Sequence, residues 1–468
     1  MKKRQIKVLF SHYTLAPLLG LFVAAWLISG LVMLYIPFPK LNTAEIAAYS
    51  QPIISEELED FIPETQGIQS LIITKQLGRV SSNKNPEPVD VEEQDKRIKK
   101  FFGKNDVAYL GEFHNDQWTV HSRYNKHRPL LAWQIQDEKE RVIYVSSMNG
   151  NIVQDTTKKE RIWNYAGAIL HWIYLTPLRE KRDLWVSALN ILTLATLWMT
   201  TLGLIRGWKL IRIKSRYRKA KRSPFSNSLK YHHGLGVGFG FLILTWLFTG
   251  FLSMNPFGFM NNPQITDTEI VAQTGGEWTA HRRTQLQQLI EKNRETINNL
   301  EPWKATFLLS QGVPIVELFS KAGRTIIAEE AFSATKSVLA IRNLNSDHQA
   351  QVDYINDYDM YYKGKNLPLP VLRLKIGDRP NTWYEVDART GTIVRKSHRV
   401  SRLDRLLFRG LHTFDFGQSE KWEWLRKLGI ILVSLFAIVF VGAGFYSFAL
   451  KILKRKAKYL LRPYKTQA

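Results

Sequence analysis

Four long apolar runs divide this chain, and each is predicted to form a helix that could cross a membrane. About 20 helical residues, at roughly 1.5 Å each, span a hydrocarbon core of roughly 30 Å. The third run has no charged residue between Gly234 and Met254. The first run is too long, and too poor in a small-residue cleavage site, for a removable signal peptide, so it is predicted to be a retained anchor. The runs cover residues 13–37, 184–205, 231–256 and 425–450.

Polar segments of mixed periodicity lie between the first and second runs and between the third and fourth, and each predicts an exported α+β domain. In the first segment, helical patterns cover 43–61 and 91–102, with a polar loop at 81–88 between them. Alternating patterns predict strands, the last leading into an Asn149-Gly150 turn of the hairpin type. These strands are QWTVHSRY, LLAWQIQ and VIYVSS.

The second segment predicts a long polar helix at 277–300 followed by strands. These strands are ATFLLSQ, PIVELFS, TIIAEEAF, VLRLKIGD and TWYEVDARTGTIV. After Lys159, the apolar stretch IWNYAGAILHWIYLTPL stops at Pro177. This stretch is too short to span a bilayer and is expected to lie at the outer interface.

The chain repeats itself without gaps, at one offset for the first and third runs and at another for the segments around the second and fourth. At an offset of 220, His12, Gly20, Trp26, Leu27 and Gly30 match His232, Gly240, Trp246, Leu247 and Gly250. At an offset of 241, Pro129, Ile135, Asp137, Gly150, Ile152, Val153, Arg161, Leu170, His171 and Gly203 match Pro370, Ile376, Asp378, Gly391, Ile393, Val394, Arg402, Leu411, His412 and Gly444. The chain therefore reads as a tandem duplication, whose halves a pseudo-twofold axis along the membrane normal would relate.

The positive charge of the chain is concentrated beside the apolar runs. The formal net charge is +24, and 21 basic residues lie at Lys2–Lys7, Arg206–Arg222, Lys230 and Lys451–Lys465 without an intervening carboxylate. This is the positive-inside pattern, which predicts that both termini are cytoplasmic. It also removes most of the support for a nucleic-acid partner that the net charge would suggest. The absence of cysteine excludes disulfides, thiolate iron–sulfur ligation and covalently attached c-type haem.

Four of the 11 histidines recur between the halves. His12 and His232 lie at the predicted cytoplasmic ends of the first and third apolar runs, and His171 and His412 lie before the second and fourth. A twofold axis would bring each pair together. Two imidazoles that face each other across a helix bundle suit the axial positions of a b-type haem, so two pairs suggest two haems. The alternative is that these histidines bind headgroups or a neighbouring carbonyl and recur as structural residues. His233 is a further candidate, either as a donor to a haem propionate or as the ligand in place of His232.

The remaining histidines and the glycine-rich stretch carry weaker hypotheses. His114, His121 and His127 lie close enough in sequence for a surface metal site, although solvated or structural roles are the simpler interpretation. His281, His348 and His398 are expected to be structural or solvated. The stretch GLGVGFG is not expected to bind a dinucleotide, because a phosphate loop joins a strand to a helix in water. Its glycines are instead expected to permit close helix contact.

With these motifs in hand, the sequence is similar to the PepSY-associated transmembrane family, which includes iron-regulated inner-membrane proteins and ferric-siderophore reductases. The resemblance covers the whole chain. Departures are Met148–Gly150, which lacks the Asp and Thr of DARTG, and Tyr13-Thr14 in place of a basic-aromatic pair after His12. The carrying stretches are the H-x(13)-W-L-x-[ST]-G pattern at His12–Gly30 and His232–Gly250, LHWIYLTPLR around His171, SMNPFG, and YEVDARTGTIV.

The resemblance implies a membrane α-helical fold of four transmembrane helices in tandem duplication, with two exported α+β PepSY-like domains. It implies a bacterial inner-membrane ferric reductase that holds haem b and acts on a ferric-siderophore in the periplasm. No flavin or nicotinamide domain is visible, so a quinol or a cytoplasmic reductase is the expected electron donor. The alternative is a non-redox sensor or a ligand- or peptide-binding protein. The expected divisions are helix 1–37, domain 38–160, interfacial segment and helix 161–207, basic loop 208–230, helix 231–256, domain 257–405, interfacial segment and helix 406–450, and basic tail 451–468.

Overall fold

The computed structural model describes most of the chain. Of the 21 basic residues on which the topology prediction rests, 11 lie at 1–10, 216–222 and 461–468, outside the described residues. The described residues are 11–63, 70–83, 87–103, 106–215, 223–258, 260–329, 332–364, 366–417 and 420–460. They form two compact units, a helical unit made of the described residues within 1–38, 162–259 and 404–468, and a sheet unit made of those within 39–161 and 260–403.

The helices and strands are numbered in chain order. The helices are α1 His12–Met33, α2 Thr43–Tyr49, α3 Ser55–Glu59, α4 Val91–Phe102, α5 Lys158–Asn164, α6 Leu170–Trp172, α7 Thr176–Arg179, α8 Arg182–Ser215, α9 Asn227–Ser253, α10 Asp267–Thr274, α11 Ala280–Lys292, α12 Arg294–Leu300, α13 Ala334–Asn343, α14 Arg399–Arg405 and α15 Glu423–Leu460. The strands are β1 Ser70–Gln76, β2 Arg79–Ser82, β3 Val107–Phe113, β4 Leu130–Ile135, β5 Arg141–Ser146, β6 Ile152–Thr156, β7 Lys304–Ser310, β8 Val313–Ser320, β9 Gly323–Ala328, β10 Ala350–Ile355, β11 Val371–Ile376, β12 Trp383–Asp387 and β13 Ile393–Ser397.

The helical unit contains four helices, α1, α8, α9 and α15, that are long and apolar enough to cross a membrane. The prediction of four such helices is confirmed, although α8 and α15 extend further into their basic ends than expected. Large apolar side chains are exposed along all four helices, as expected of surfaces that face lipid. These side chains include Leu18, Leu21, Ile191, Leu194, Phe241, Phe248, Leu432 and Leu435.

The four helices pack as a bundle in which α1 contacts α8 and α15, and α9 contacts the same two helices. The duplication is visible in its core, because Val23 and Leu27 of α1 occupy the positions that Ile243 and Leu247 hold on α9. Small residues at Gly20 and Gly240 let aromatic and aliphatic side chains of α15 and α8 approach closely. The repeated residues therefore face the interior of the bundle.

The sheet unit contains two four-stranded antiparallel meanders, β3-β4-β5-β6 and β10-β11-β12-β13. Their registers shift at equivalent positions, between Tyr144 and Val145 in one and between Glu385 and Val386 in the other. Both hairpin glycines, Gly150 and Gly391, have positive φ, a conformation that glycine adopts without steric cost. The two meanders are thus the same fold built twice.

A third sheet joins the two polar segments that the sequence analysis assigned to separate domains, 38–160 and 257–405. Its order is β2-β1-β7-β8-β9, so the β1–β2 hairpin of the first segment pairs with β7 of the second. Leu71 and Ile73 of β1 share one buried core with Trp278 and Phe307. The two segments are therefore one compact unit, because β1 has a partner on only one side until β7 completes the sheet.

Several local predictions also differ from the structure. The stretch QWTVHSRY is not a strand, because the Asp116 carboxylate accepts bonds from the amides of Trp118 and Thr119 and closes a turn instead. The helix predicted at 277–300 is divided at Asn293 into α11 and α12. The helix predicted at 43–61 is likewise divided into α2 and α3. Elements that were not predicted are β1, β2, β3, β6, β10, α10, α13 and α14.

Candidate functional site

His12 and His232 face each other inside the helical unit, with ring centres 6.2 Å apart and planes inclined by 31°. His12 begins α1, where the Ser11 hydroxyl caps the helix. His232 lies one turn into α9. The structure therefore brings together two residues 220 positions apart that the repeat had paired.

Each of these two rings is fixed by the neighbouring helix of its own half. His12 Nδ1 lies 2.9 Å from the carbonyl oxygen of Met199 on α8, and His232 Nδ1 lies 2.9 Å from that of Phe440 on α15. Met199 and Phe440 correspond to each other at the offset of 241. A carbonyl can only accept, so both Nδ1 atoms carry the proton and both Nε2 atoms keep a free lone pair.

A glycine one turn further along each helix leaves room for the ring. A Cβ atom at Gly203 would lie 2.8 Å from Nδ1 and Cε1 of His12, and one at Gly444 would lie 2.8 Å from Nδ1 of His232. These glycines recur in the sequence, but their contact with the histidines depends on how the helices pack side by side.

His171 and His412 form a second pair, with ring centres 6.4 Å apart and planes inclined by 75°. The helix is irregular near each histidine, with a kink at Gly167 before His171 in the first half and a π-helical segment, Leu406–His412, in the second. Single π-helical turns inside α-helices are frequently found at functional sites. The apolar stretch IWNYAGAILHWIYLTPL, which was expected at the outer interface, thus places His171 against α1 of the bundle.

The W-L-x-[ST]-G pattern holds this second pair. His171 Nδ1 lies 3.0 Å from the Ser29 hydroxyl, and His412 Nδ1 lies 3.1 Å from that of Thr249. Both hydroxyls already donate to carbonyls of their own helices, so they accept from Nδ1–H of the histidines. The Trp26 indole donates to the carbonyl of His171 at 2.8 Å.

The glycine that ends the same pattern faces the ring as well. A Cβ atom at Gly30 would lie 3.7 Å from the His171 ring, and one at Gly250 would lie 3.4 Å from the His412 ring. The pattern therefore supplies contacts to both rings of the second pair, His171 and His412.

The four rings share one hydrogen-bonding state. Each Nδ1 is bound by an acceptor, and among the described residues no hydrogen bond occupies any of the four Nε2 atoms. Histidines that bind metals almost always donate their second ring nitrogen in this way, which fixes the ring and its tautomer. The arrangement is therefore suited to ligation through Nε2.

The spacing of the rings also fits a shared metal ion. A ligating nitrogen lies about 2 Å from the metal and roughly 1 Å from its own ring centre, so two opposed imidazoles put their ring centres about 6 Å apart. The observed separations are 6.2 Å and 6.4 Å. Both pairs thus pass a test of fit for bis-histidine coordination.

A cavity of about 370 Å³ adjoins the His12–His232 pair. Its walls are mostly apolar, and they include Gly20, Gly236 and Gly240. Cavities of this size and composition are typical of sites for cofactors and other small molecules. The glycine-rich stretch of α9 therefore serves as a cavity wall.

His233 is placed differently from His232. It is 7% exposed, and both of its ring nitrogens are bound, Nδ1 by the Ser223 hydroxyl at 3.0 Å and Nε2 by the carbonyl oxygen of Gly207 at 3.1 Å. These contacts join the start of α9 to the end of α8. The geometry favours His232 as the ligand and gives His233 a structural role.

The hypothesis of a metal site at His114, His121 and His127 gains no support from the structure. His121 accepts a bond from the Arg123 amide, and His127 lies 3.1 Å from the Ser146 hydroxyl. The described part of the chain contains no group of three histidine or carboxylate side chains that could hold a metal ion.

Fold and site together define a helical bundle of membrane type that carries two opposed histidine pairs. No family model matches this sequence, and no curated protein matches it. The similarity to the PepSY-associated family accordingly stays a prediction.

Proposed function

We propose that this chain is a membrane haem protein that carries electrons across the bilayer and reduces ferric iron. The observation that carries the proposal is the pair of ring separations, 6.2 Å and 6.4 Å, with every Nδ1 bound and every Nε2 open. A hydrogen-bonded surface histidine would not require a second imidazole opposite to it. Two such pairs at equivalent positions of a duplication support a common function for both.

His12 with His232, and His171 with His412, would hold haem b. Haem supplies reversible one-electron chemistry when it is bound. The protein supplies neutral imidazoles, held in one tautomer by two carbonyls and two hydroxyls, and an apolar bundle that excludes water. These contacts raise the basicity of the ligating nitrogens and fix the planes of the rings.

The positions of the two pairs along the bundle support transport of charge from one face to the other. His12 and Ser29, which contacts His171, are 17 residues apart on α1 and hence roughly 26 Å apart along its axis. That span is close to the thickness of a hydrocarbon core. One pair alone would leave most of the span without a carrier site.

We further propose the direction and the substrate. With the basic ends in the cytoplasm of a bacterium, the His12–His232 pair would receive electrons from a quinol or a cytoplasmic reductase. The His171–His412 pair would pass them to a ferric-siderophore on the periplasmic side, where the PepSY-like sheet unit lies. Reduction releases iron because oxygen-donor siderophores hold the ferrous ion far less tightly than the harder ferric ion.

The test is the haem content and redox spectrum of the full chain purified in detergent. We expect two b-type haems per chain, reducible by dithionite, and one in the His171→Ala/His412→Ala double variant, which should also lose ferric-siderophore reduction in vesicles. His281→Ala, which changes an exposed histidine of the sheet unit, is the control and should keep both haems and the ferric-siderophore reduction. A wild-type protein without a b-type band would refute the proposal, and a folded double variant with two haems would show that the outer pair is structural.

A second candidate function, peptide or ligand capture by the sheet unit, is favoured by one observation. β10 is the edge strand of its sheet, and its Val352 and Tyr354 side chains are 46% and 58% exposed. Open apolar edges accept an added strand from an extended peptide. Peptide binding by a protein that contains no haem would favour this function over the first.

A further inference from the structure

The cavity beside His12 and His232 carries positive charge at one end. Arg206 of α8 and Lys451 of α15 both line it, and no Asp or Glu is among its lining residues. Neither cation forms an ion pair with a carboxylate of the described residues. The cavity therefore combines an apolar interior with two cations that have no carboxylate partner in the described part of the chain.

Aromatic contacts position one of these cations beside the histidine pair. Lys451 Nζ lies 4.4 Å from the centre of the Tyr13 ring, and Tyr13 is the residue after His12. The Tyr13 ring also contacts Phe448 edge-on, at 6.1 Å between ring centres. A cation–π contact of this kind holds an ammonium group near an apolar surface.

The two cations come from helices that the duplication relates, but from different positions along them. Arg206 lies three residues after Gly203, whereas Lys451 lies seven residues after Gly444. Ser447 occupies the position on α15 that Arg206 occupies on α8, and Leu210 occupies that of Lys451. The cations are thus not a by-product of the duplication, and each half supplies one.

We propose that Arg206 and Lys451 bind the two carboxylates of a planar dicarboxylate macrocycle and so fix its orientation in the cavity. This inference rests on the proposed function, because the macrocycle is the one that His12 and His232 would ligate. Arg and Lys form charge-assisted hydrogen bonds with carboxylates, which are stronger than neutral ones. The apolar walls accept the ring system while the carboxylate edge meets the cations and water.

The experiment compares haem with haem dimethyl ester, whose carboxylates are blocked and carry no charge. Full-length protein depleted of haem is titrated with each form in detergent, and binding is followed by absorption in the visible range. We expect the wild type to bind haem roughly fivefold to tenfold more tightly than the ester. The Arg206→Gln/Lys451→Gln variant should bind the two forms equally while still showing the spectrum of bis-histidine coordination.

Lys427→Gln provides the matched control, since Lys427 also lies over a tyrosine ring, at 5.7 Å from that of Tyr35, but does not line the cavity. This variant should keep the preference for haem. Equal binding of both forms by the wild type would overturn the inference and would be expected if the cations bound lipid phosphates instead. A preference that persists in the double variant would also overturn it. Failure of the wild type to bind either form would refute the proposed function itself, which distinguishes the two.

Discussion

The imidazole of His12 lies directly against Gly203, so closely that a methyl group there would be 2.8 Å from the ring. The same relationship joins His232 to Gly444 in the second half. A contact of 2.8 Å is well inside van der Waals distance, so an added methyl group must displace either the ring or the helix. This relationship leads to the first prediction.

Gly203→Ala and Gly444→Ala should each disturb ligation at the His12–His232 pair, because a displaced ring loses its carbonyl acceptor on the same helix. We expect the haem at that pair to be lost or to become high-spin, as measured by absorption spectra and haem-to-protein ratio. Gly442→Ala lies on α15 beside Gly444 and meets no atom within 4 Å, so it should leave both quantities unchanged. Unaltered spectra in both Gly203→Ala and Gly444→Ala would show that the close approach of glycine and ring is not needed for ligation.

His232→Ala and His233→Ala should have separable effects. The first removes one of the two imidazoles of the His12–His232 pair, so it should abolish the haem at this pair while leaving the protein folded. The second breaks two hydrogen bonds and should reduce the free energy of unfolding by about 1–3 kcal/mol with the haem spectrum retained. The opposite result, with the spectrum changed only by His233→Ala, would show that His233 and not His232 is the ligand.

Topology can be tested with reporters fused at four points. Fusions after Arg222 and after Ala468 should report the cytoplasm, because the basic residues flank that side. Insertions at Asn83 and Asn345, both in the sheet unit, should report export. A cytoplasmic signal from either insertion would contradict the arrangement of four crossings.

The buried carboxylate of Asp387 should be important for the stability of the sheet unit. Asp387 is fully buried and pairs with Arg324, which extends from β9 of a different sheet. Asp387→Asn removes one of the two carboxylates that pair with Arg324, the other being Glu317, so we expect a loss of about 1–3 kcal/mol in the free energy of unfolding. Asp353→Asn, which breaks a half-exposed pair with Lys375, should cost below about 1 kcal/mol in the same denaturation experiment.

His127 should make the stability of the sheet unit depend on pH. Burial, with a smaller contribution from Lys126, lowers the pKa of His127 to about 4. The unfolded chain takes up this proton near pH 6.5, so between about pH 6.5 and 4 it binds more protons than the folded chain. The free energy of unfolding therefore decreases as the pH is lowered through this range. The drop in melting temperature from pH 7 to pH 5 should be smaller in His127→Gln than in the wild type. The exposed His281→Gln should not change it.

The long periodic helices and the pairing of the histidines could be predicted because each depends on a pattern within one segment or on a repeat between two. Their supports could not, since Met199 contacts His12 only through the packing of α8 on α1. The recurrence of Gly203 as Gly444 was visible in the sequence, yet recurrence alone does not say which side chain a glycine accommodates. The prediction of a strand at QWTVHSRY was wrong because the turn at Asp116 depends on one local carboxylate, which an alternating pattern does not reveal.

The β1–β2 hairpin is synthesised long before β7, the strand with which it pairs. This hairpin leaves the ribosome roughly 220 residues before β7, its partner, so at 5–20 residues per second it waits on the order of ten to forty seconds. During that time most of the core that Leu71 and Ile73 join, including Trp278 and Phe307, has not yet been synthesised. The first half of this duplicated chain therefore cannot complete the sheet until the second half has followed it.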